Sequence, residues 1–114
     1  MAVDIRKLFN EELPVTLARY PQQAREIGGR FQLHITGEGG GSWFVDASET
    51  GPHVAPGIGE GADLTCTLAV EDFQKLYENP QAHGTQLFFA GKMKMVGNQM
   101  LAMKLGKLFT LGTS

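Results

Sequence analysis

The stretch that decides the fold is FFAGKMKMVGNQMLAMKLGKLF, which runs from Phe88 to Phe109. Between Gly91 and Gly97, lysine and methionine alternate with a period of two, which is typical of a β-strand. Beyond Asn98 the apolar residues recur at the spacing of an α-helix, and Asn98 itself stands where a helix N-cap is expected. The stretch therefore predicts a strand that passes directly into a helix.

The predicted C-terminal helix has two apolar faces when its residues are placed at about 100° intervals. The core face consists of Leu101, Leu105 and Leu108. The second face consists of Met100, Met103 and Leu111, with Lys104 and Lys107 beside it. Because a surface helix normally has a single apolar face, we expect this one to contact something on both sides.

Four further strands are expected before this stretch, each marked by alternation or by turn residues. They lie at 31–36, at 43–46, around 53–54 and at 63–68. The glycine-rich run 37–41 joins the first two as a hairpin. The polar residues of the first strand, Gln32, His34 and Thr36, are expected to face water.

Helices are predicted on both sides of these strands. Near the N-terminus a helix begins after Asp4 and is kinked or restarted at Pro14. A short helix follows, which Pro21 opens and Gly28-Gly29 ends. Two more helices are expected at 71–79 and from about 81 to 90. This order of elements predicts an α+β fold with five strands.

Length and composition favour one cytoplasmic domain that spans residues 1–114. No run approaches the roughly 18 apolar residues of a membrane-spanning helix. The opening residues MAVDIRKLF are charged too early for a secretory signal. The single cysteine, Cys66, is expected to be a small buried hydrophobe in a reducing compartment.

Charge is divided unevenly along the chain. Residues 1–78 carry six Lys/Arg and twelve Asp/Glu, whereas residues 79–114 carry four lysines and no acid. Lys92, Lys94, Lys104 and Lys107 either complete the solvated faces of a strand and a helix or favour an anionic headgroup, a coenzyme A phosphate or a membrane surface. Nucleic acid is not expected, because no aromatic residues interleave these lysines and the rest of the chain is acidic.

No catalytic or metal site is predicted. The three histidines, His34, His53 and His83, have neither each other nor a second cysteine at metal-ligand spacing. Ser42 and the histidines are scattered over turns and an outer strand face, and the inner face offers no acid–base pair. We therefore expect neither an enzyme nor a bound cofactor.

The residues expected to face inward are large or adaptable. They are Phe31, Leu33, Ile35, Trp43, Val45, Leu64, Leu68, Phe73, Phe88, Met93, Met95, Met100 and Met103. All of these except Leu64 are predicted to contact a ligand. Four of the five methionines lie between positions 93 and 103. Such a cluster either fills irregular core space or lines an apolar cavity for a lipid-like ligand, and the second apolar face of the last helix favours the cavity.

Several motifs together resemble the sterol carrier protein 2 lipid-transfer domains. They are Ala62–Leu68 (ADLTCTL), Glu71–Phe73 (EDF), Phe88–Asn98 (FFAGKMKMVGN), Leu101–Leu105 (LAMKL) and Leu108–Phe109. The likeness extends over roughly residues 3–110. It implies a five-stranded, mainly antiparallel sheet that helices cover on one face, with a hydrophobic tunnel between the layers. It also implies non-enzymatic binding and transfer of a fatty acid, a fatty acyl-CoA or a sterol-like ligand.

The chain looks like a stand-alone, bacterial-type member of that family, present as a monomer or a weak homodimer. Its last residues, Leu111-Gly112-Thr113-Ser114, are not the S-K-L peroxisomal signal, so the peroxisomal role of eukaryotic members is not carried over. The alternative function is an interaction or accessory module that dimerises through the C-terminal helix or assists a lipid- or quinone-modifying enzyme.

Overall fold

The computed structural model describes the sheet completely and the helices in part. The described residues are 4–48, 51–78, 86–87, 89–98, 100–101, 104 and 107. Five strands form one sheet in the order β3-β2-β1-β4-β5. They are β1 (Gly29–Thr36), β2 (Gly41–Ala47), β3 (His53–Pro56), β4 (Leu64–Ala69) and β5 (Met93–Gly97). The predicted α+β class is confirmed.

The pairing of the strands is mixed. β1 pairs antiparallel with β2 and parallel with β4, while β2 with β3 and β4 with β5 are antiparallel. The prediction of a mainly antiparallel sheet is therefore confirmed. The register places Ile35, Leu68 and Met93 in one row across the sheet. Side chains from three strands therefore face the helices at the same level of the sheet.

The N-terminal helices follow one another without a break over residues 5–19, with a π-helical turn just before Pro14, where a kink or a restart was predicted. They are α1 (Ile5–Lys7), a π-helical turn (Leu8–Glu12), α2 (Leu13–Arg19) and α3 (Pro21–Ile27). Asp4 caps α1 by accepting a hydrogen bond from the Lys7 amide at 3.1 Å. The amide of Leu13 donates to the carbonyl of Leu8, five residues back, and Pro14 follows in the first turn of α2. Because proline donates no such bond, the chain widens by one residue before it.

Helix α3 ends at Gly28, whose φ of 75° is the left-handed conformation that favours glycine. Gly29 was expected to end the helix together with Gly28, but it is the first residue of β1. The remaining fully described helix is α4 (Val70–Glu78), and residues 86, 87, 89, 100, 101, 104 and 107 are also helical.

The core lies on one face of the sheet, here called the inner face. Its strand residues are 3% exposed or less, and they include Phe31, Leu33, Ile35, Trp43, Val45, Ala47, Leu64, Cys66, Leu68 and Met93. Phe9 of the π-helical turn stacks on Trp43 with ring centroids 4.6 Å apart. Phe73 of α4 lies 5.6 Å from the Phe9 ring. Helices from distant parts of the chain therefore cover this face, as predicted.

The opposite face of the sheet, here called the outer face, is less exposed to solvent than the sequence predicts. Gln32 is 3% exposed, so the expectation that it faces water is wrong, whereas Thr36 is exposed. The cause is the loop 57–61, which crosses the outer face. The Gln32 amide nitrogen donates to the Gly57 carbonyl at 3.1 Å, and its oxygen accepts from the Gly59 amide at 2.9 Å. A strand-side glutamine thus holds a loop against the sheet.

Candidate functional site

The structure brings most of the predicted ligand-contacting residues together on the inner face. Those at most 3% exposed are Phe31, Leu33, Ile35, Trp43, Val45, Leu68, Phe73 and Met93. Met95 is half-buried and packs against the same cluster. Met100 is 77% exposed and stands apart from it. Phe88 and Met103 lie outside the described residues.

At the β2 side of the inner face, the helices and the sheet are in direct contact. Phe9 is fully buried against Trp43, and the Trp43 indole donates from Nε1 to Oδ1 of Asn10 at 2.9 Å. A buried indole normally finds such an acceptor. Sequence reasoning missed Asn10 because its partner is 33 positions away, and only the π-helical turn brings it there. This side of the layer is filled by side chains.

Toward β5 some side chains of the inner layer are only half-buried. The register row that contains Leu33 and Cys66, each 1% exposed, continues to the half-buried Met95. Tyr77 of α4 is half-buried as well, with its ring 6.1 Å from Phe73. Methionine adapts its shape to irregular surroundings. The inner layer thus has a direct ring contact at β2 and a half-buried, adaptable methionine at β5.

Cys66 lies in the middle of this apolar surface. Burial raises the pKa of its thiol to about 12, because desolvation penalises the thiolate. The side chain is thus a neutral, small apolar group at physiological pH, as predicted. It is also the only titratable side chain that the five strands place on the inner face.

The C-terminal helix begins as the sequence predicted. Asn98 caps it by accepting a hydrogen bond from the Met100 amide at 3.0 Å. The Asn98 amide donates to the carbonyl of Asp63 at 2.8 Å, which fixes the start of the helix beside the start of β4. Leu101 is 6% exposed, so it belongs to the core face. Leu105, Leu108 and Leu111, assigned to the two helical faces, lie outside the described residues.

The outer face carries a pair of residues that sequence reasoning treated as scattered. His34 and Ser42 are cross-strand partners in the β1–β2 hairpin, and His34 Nδ1 lies 2.8 Å from Ser42 Oγ. Pairing the strands across the 37–41 turn would have found this contact. The pair is separated from the apolar inner face by the sheet itself.

Two further features are absent from the described ranges of the chain. Within them, no group of three or more His, Cys, Asp or Glu side chains is arranged to hold a metal ion. Nor does any helix in the same ranges combine the length and the apolar character needed to cross a membrane.

Residues 9–110 match the model of the SCP-2 sterol transfer family. The chain belongs to this family. The predicted resemblance is thereby confirmed, and the match covers both the inner face and the start of the C-terminal helix. Members of the SCP-2 sterol transfer family are lipid-transfer domains.

Two curated relatives contain an SCP-2 region within a much longer protein. The chain is 40% identical over 81 residues to rat (Rattus norvegicus) hydroxysteroid dehydrogenase-like protein 2, which covers 70% of this chain and 15% of that protein. It is 39% identical over 93 residues to human (Homo sapiens) sterol carrier protein 2, covering 76% and 16%. The chain therefore spans a small fraction of these relatives.

A solved structure shares nearly the whole fold. Palmitated SCP2L2 from Aedes aegypti, determined by NMR in solution, superposes with a TM-score of 0.63 at 25% sequence identity. The superposition covers 96% of this chain and 95% of that one. The SCP-2 sheet and its helical cover are thus common to both proteins.

Proposed function

We propose that this chain is a non-enzymatic lipid carrier that holds one fatty acyl chain between the helices and the inner face of the sheet. The observation that carries the proposal is the difference in burial across that face, from Phe9 and Trp43 in direct contact to the half-buried Met95 and Tyr77. An acyl chain needs apolar walls that can adapt to it, and the β5 side offers them.

The predicted ligand-contacting residues divide into three groups in this proposal. A floor is formed by Phe31, Leu33, Ile35, Trp43 and Val45, which are buried. The acyl chain lies on Leu68, Phe73, Met93 and Met95, with Phe88 and Met103 as proposed contacts outside the described residues. Met100, exposed at the start of the C-terminal helix, is the proposed contact at the entrance to the acyl site.

The ligand class is proposed from the relative that carries one. In another protein, palmitated SCP2L2, this fold accommodates palmitate, a fatty acid with sixteen carbons. A saturated fatty acid matches a site lined by Leu, Phe and Met side chains. The acyl chain of a fatty acyl-CoA and the ring system of a sterol-like ligand share this apolar character. We propose further that no reaction accompanies binding, because the only titratable side chain that the strands place on the inner face is the thiol of Cys66, and burial keeps it neutral.

The proposal is tested with a fluorescent fatty acid displaced by palmitate. Met95→Trp places a large indole in the proposed acyl site, so the dissociation constant should rise about tenfold or more, equivalent to about 1.4 kcal/mol. Val15→Trp, at a position 59% exposed on α2, is the matched control and should bind as the wild type does. A cooperative thermal unfolding transition in each variant is the check that both variants are folded. Wild-type protein that binds no fatty acid would overturn the function, and unchanged binding in Met95→Trp would overturn its location.

A second candidate function is an interaction or accessory module, either as a weak homodimer or beside a lipid- or quinone-modifying enzyme. The exposed apolar side chains Phe89, Val96 and Met100, which are 80%, 70% and 77% exposed, favour it. Native mass spectrometry after gentle purification distinguishes the two. A retained lipid on a monomer supports the carrier, and a ligand-free dimer supports the module.

We also propose that the carrier works in the cytoplasm and contacts anionic membranes transiently through Lys92, Lys94, Lys104 and Lys107. Lys92 and Lys94 are exposed next to Val96, and the last 36 residues have no acid that would repel anionic lipids. Lys92→Glu with Lys94→Glu should reduce sedimentation with phosphatidylserine vesicles. Lys7→Glu with Lys75→Glu alters net charge equally at exposed helical positions and should have a smaller effect. An equal loss of vesicle binding in the two double variants would mean that binding depends on net charge and not on the position of the lysines.

A further inference from the structure

A row of polar side chains crosses the outer face at one level of the sheet. The register sets Ser42 beside His34, His34 beside Thr67, and Thr67 beside Lys94. Their sequence neighbours Leu33, Leu68 and Met93 are buried on the inner face, so the alternation of a strand directs this row outward. Ser42, His34 and Thr67 are half-exposed and Lys94 is exposed. The row is thus open to a ligand from solvent.

Thr67 stands at the centre of a potential binding group. Adjacent strands lie about 4.8 Å apart, so His34 and Lys94 flank the Thr67 hydroxyl at one strand spacing on either side. The contact of 2.8 Å between His34 Nδ1 and Ser42 Oγ orients the imidazole. This leaves Nε2, the nitrogen on the far side of the ring, as the one available to a ligand.

The strands bring little negative charge to the row, although the loop 57–61 beside it carries the exposed Glu60. Asp46 is the only acidic residue in the five strands, and its carboxylate is paired with Arg30 at 3.6 Å. Arg30 is four residues from His34 along β1, which is about 13 Å. The neighbouring row, that of Gln32, is covered by the loop 57–61. What remains uncovered beside the loop is a strip of hydroxyl, imidazole and ammonium groups.

We propose that His34, Thr67 and Lys94 bind the phosphate group of an anionic ligand on the side of the sheet opposite the acyl site. Phosphate oxygens accept hydrogen bonds from hydroxyl, imidazole and ammonium donors, and a charged donor strengthens such bonds. Ser42 is a positioning residue, because it acts through His34. The ligand class is a phosphate ester, which is either a soluble phosphorylated compound or the headgroup of a phospholipid. This proposal does not depend on the lipid-carrier function.

The first test is a titration of the full chain with inorganic phosphate at constant ionic strength, followed by amide and histidine-ring nitrogen NMR signals. We expect saturable shifts at Thr67, Lys94 and the His34 ring. Thr67→Val and Lys94→Gln should each weaken phosphate binding about tenfold, the loss expected for one charge-assisted hydrogen bond. The matched controls are Thr65→Val, on the same strand and face one row away, and Lys75→Gln on α4. Both should bind phosphate as the wild type does.

Ser42→Ala tests the positioning role. It should shift the His34 ring signals in the absence of phosphate and weaken binding less than Thr67→Val does. Vesicles then identify the source of the phosphate. Binding to phosphatidylcholine vesicles that contain phosphatidic acid, lost in Thr67→Val, indicates a lipid headgroup, and binding of inorganic phosphate alone indicates a soluble ligand.

The absence of saturable shifts at these positions, or equal phosphate affinity in Thr67→Val and Thr65→Val, would overturn the proposal. Fatty acid binding is measured on the same variants and should be unchanged. If the wild-type protein binds fatty acid but not phosphate, the phosphate site is disproved and the proposed carrier function is unaffected.

Discussion

Leu101 fills the space that a side chain at position 29 would occupy. A Cβ atom on Gly29 would lie 2.6 Å from Leu101 Cδ1 and 2.9 Å from Cδ2, both closer than such atoms approach each other. Gly29 is the first residue of β1, and its pairing with Ala47 places it on the inner face. The missing side chain at one end of the central strand is thus what allows the C-terminal helix to start against the sheet.

We predict that Gly29→Ala lowers the free energy of unfolding by roughly 1–3 kcal/mol, because the new methyl group overpacks against Leu101. Leu101→Ala alone should cost about 2–5 kcal/mol through the cavity that it leaves. In the double variant the methyl group has room, so the two losses should not add. Urea denaturation of all three variants measures the coupling. Additive losses would show that Gly29 is needed for another reason.

Gln32→Leu should destabilise the protein and release the loop 57–61. The variant leaves the carbonyls of Trp43 and Gly57 and the amide of Gly59 without their side-chain partner. A buried polar group that loses its hydrogen bond costs about 1–3 kcal/mol. Hydrogen exchange should accelerate at Gly59. Gln22→Leu, at an exposed position of α3, is the matched control and should leave that exchange rate unchanged.

Asn10→Ala should perturb the single tryptophan. The Trp43 indole loses the acceptor that lies 2.9 Å away, and its fluorescence spectrum should shift while the fold is retained. We expect a loss of about 1–3 kcal/mol in the free energy of unfolding. Asn10→Asp keeps an oxygen at the same position, so its tryptophan spectrum should stay close to that of the wild type. Identical spectra for the alanine variant and the wild type would contradict the assigned role.

The buried thiol predicts a specific dependence of stability on pH. Burial raises the pKa of Cys66 from its ordinary value of 9.0 to about 12, so between these values the unfolded chain releases a proton that the folded chain keeps. The free energy of unfolding should therefore fall as the pH rises from 9.0 toward 12. The slope from this group is at most about 1.4 kcal/mol per pH unit.

Cys66→Ala lacks this contribution, while lysines and tyrosines titrate in both proteins. The difference in unfolding free energy between wild type and variant should therefore be constant below pH 9.0 and shrink above it. Thiol-specific reagents should also react with native wild-type protein only after unfolding. A difference that does not change with pH would contradict the protection of Cys66.

Patterns within one strand or one helix were readable from the sequence. Alternation placed Met93 inward and Lys94 outward, and the burial of the two residues agrees. The N-caps at Asp4 and Asn98 were found because capping depends on residues only two or three positions apart. The predicted fifth strand, 92–96, differs from the observed one by a single residue at each end. Local hydrogen bonding fixes these features, so local sequence reveals them.

Relationships across the chain were not readable in the same way. Gln32 was predicted to face solvent because the neighbouring sequence does not indicate that a loop 25 positions away will cover it. Asn10 and Trp43, or Gly29 and Leu101, meet only after the sheet and helices are assembled. For the site, the sequence identified which strand residues are inward. The filling of the β2 side depends on Phe9, which was not among the predicted ligand-contacting residues.

The parallel pairing of β1 with β4 has a consequence for how the protein folds. Ile35 and Gly41, partners in the hairpin, are six residues apart, whereas Phe31 and Leu64, partners in the parallel pair, are 33 residues apart. Closing the longer loop costs more chain entropy, and such distant pairing forms slowly. During synthesis from the N-terminus, the hairpin is complete before β4 exists. The strand at the centre of the finished sheet therefore spends part of each folding event as an exposed edge, the period in which the nascent chain is most open to aggregation.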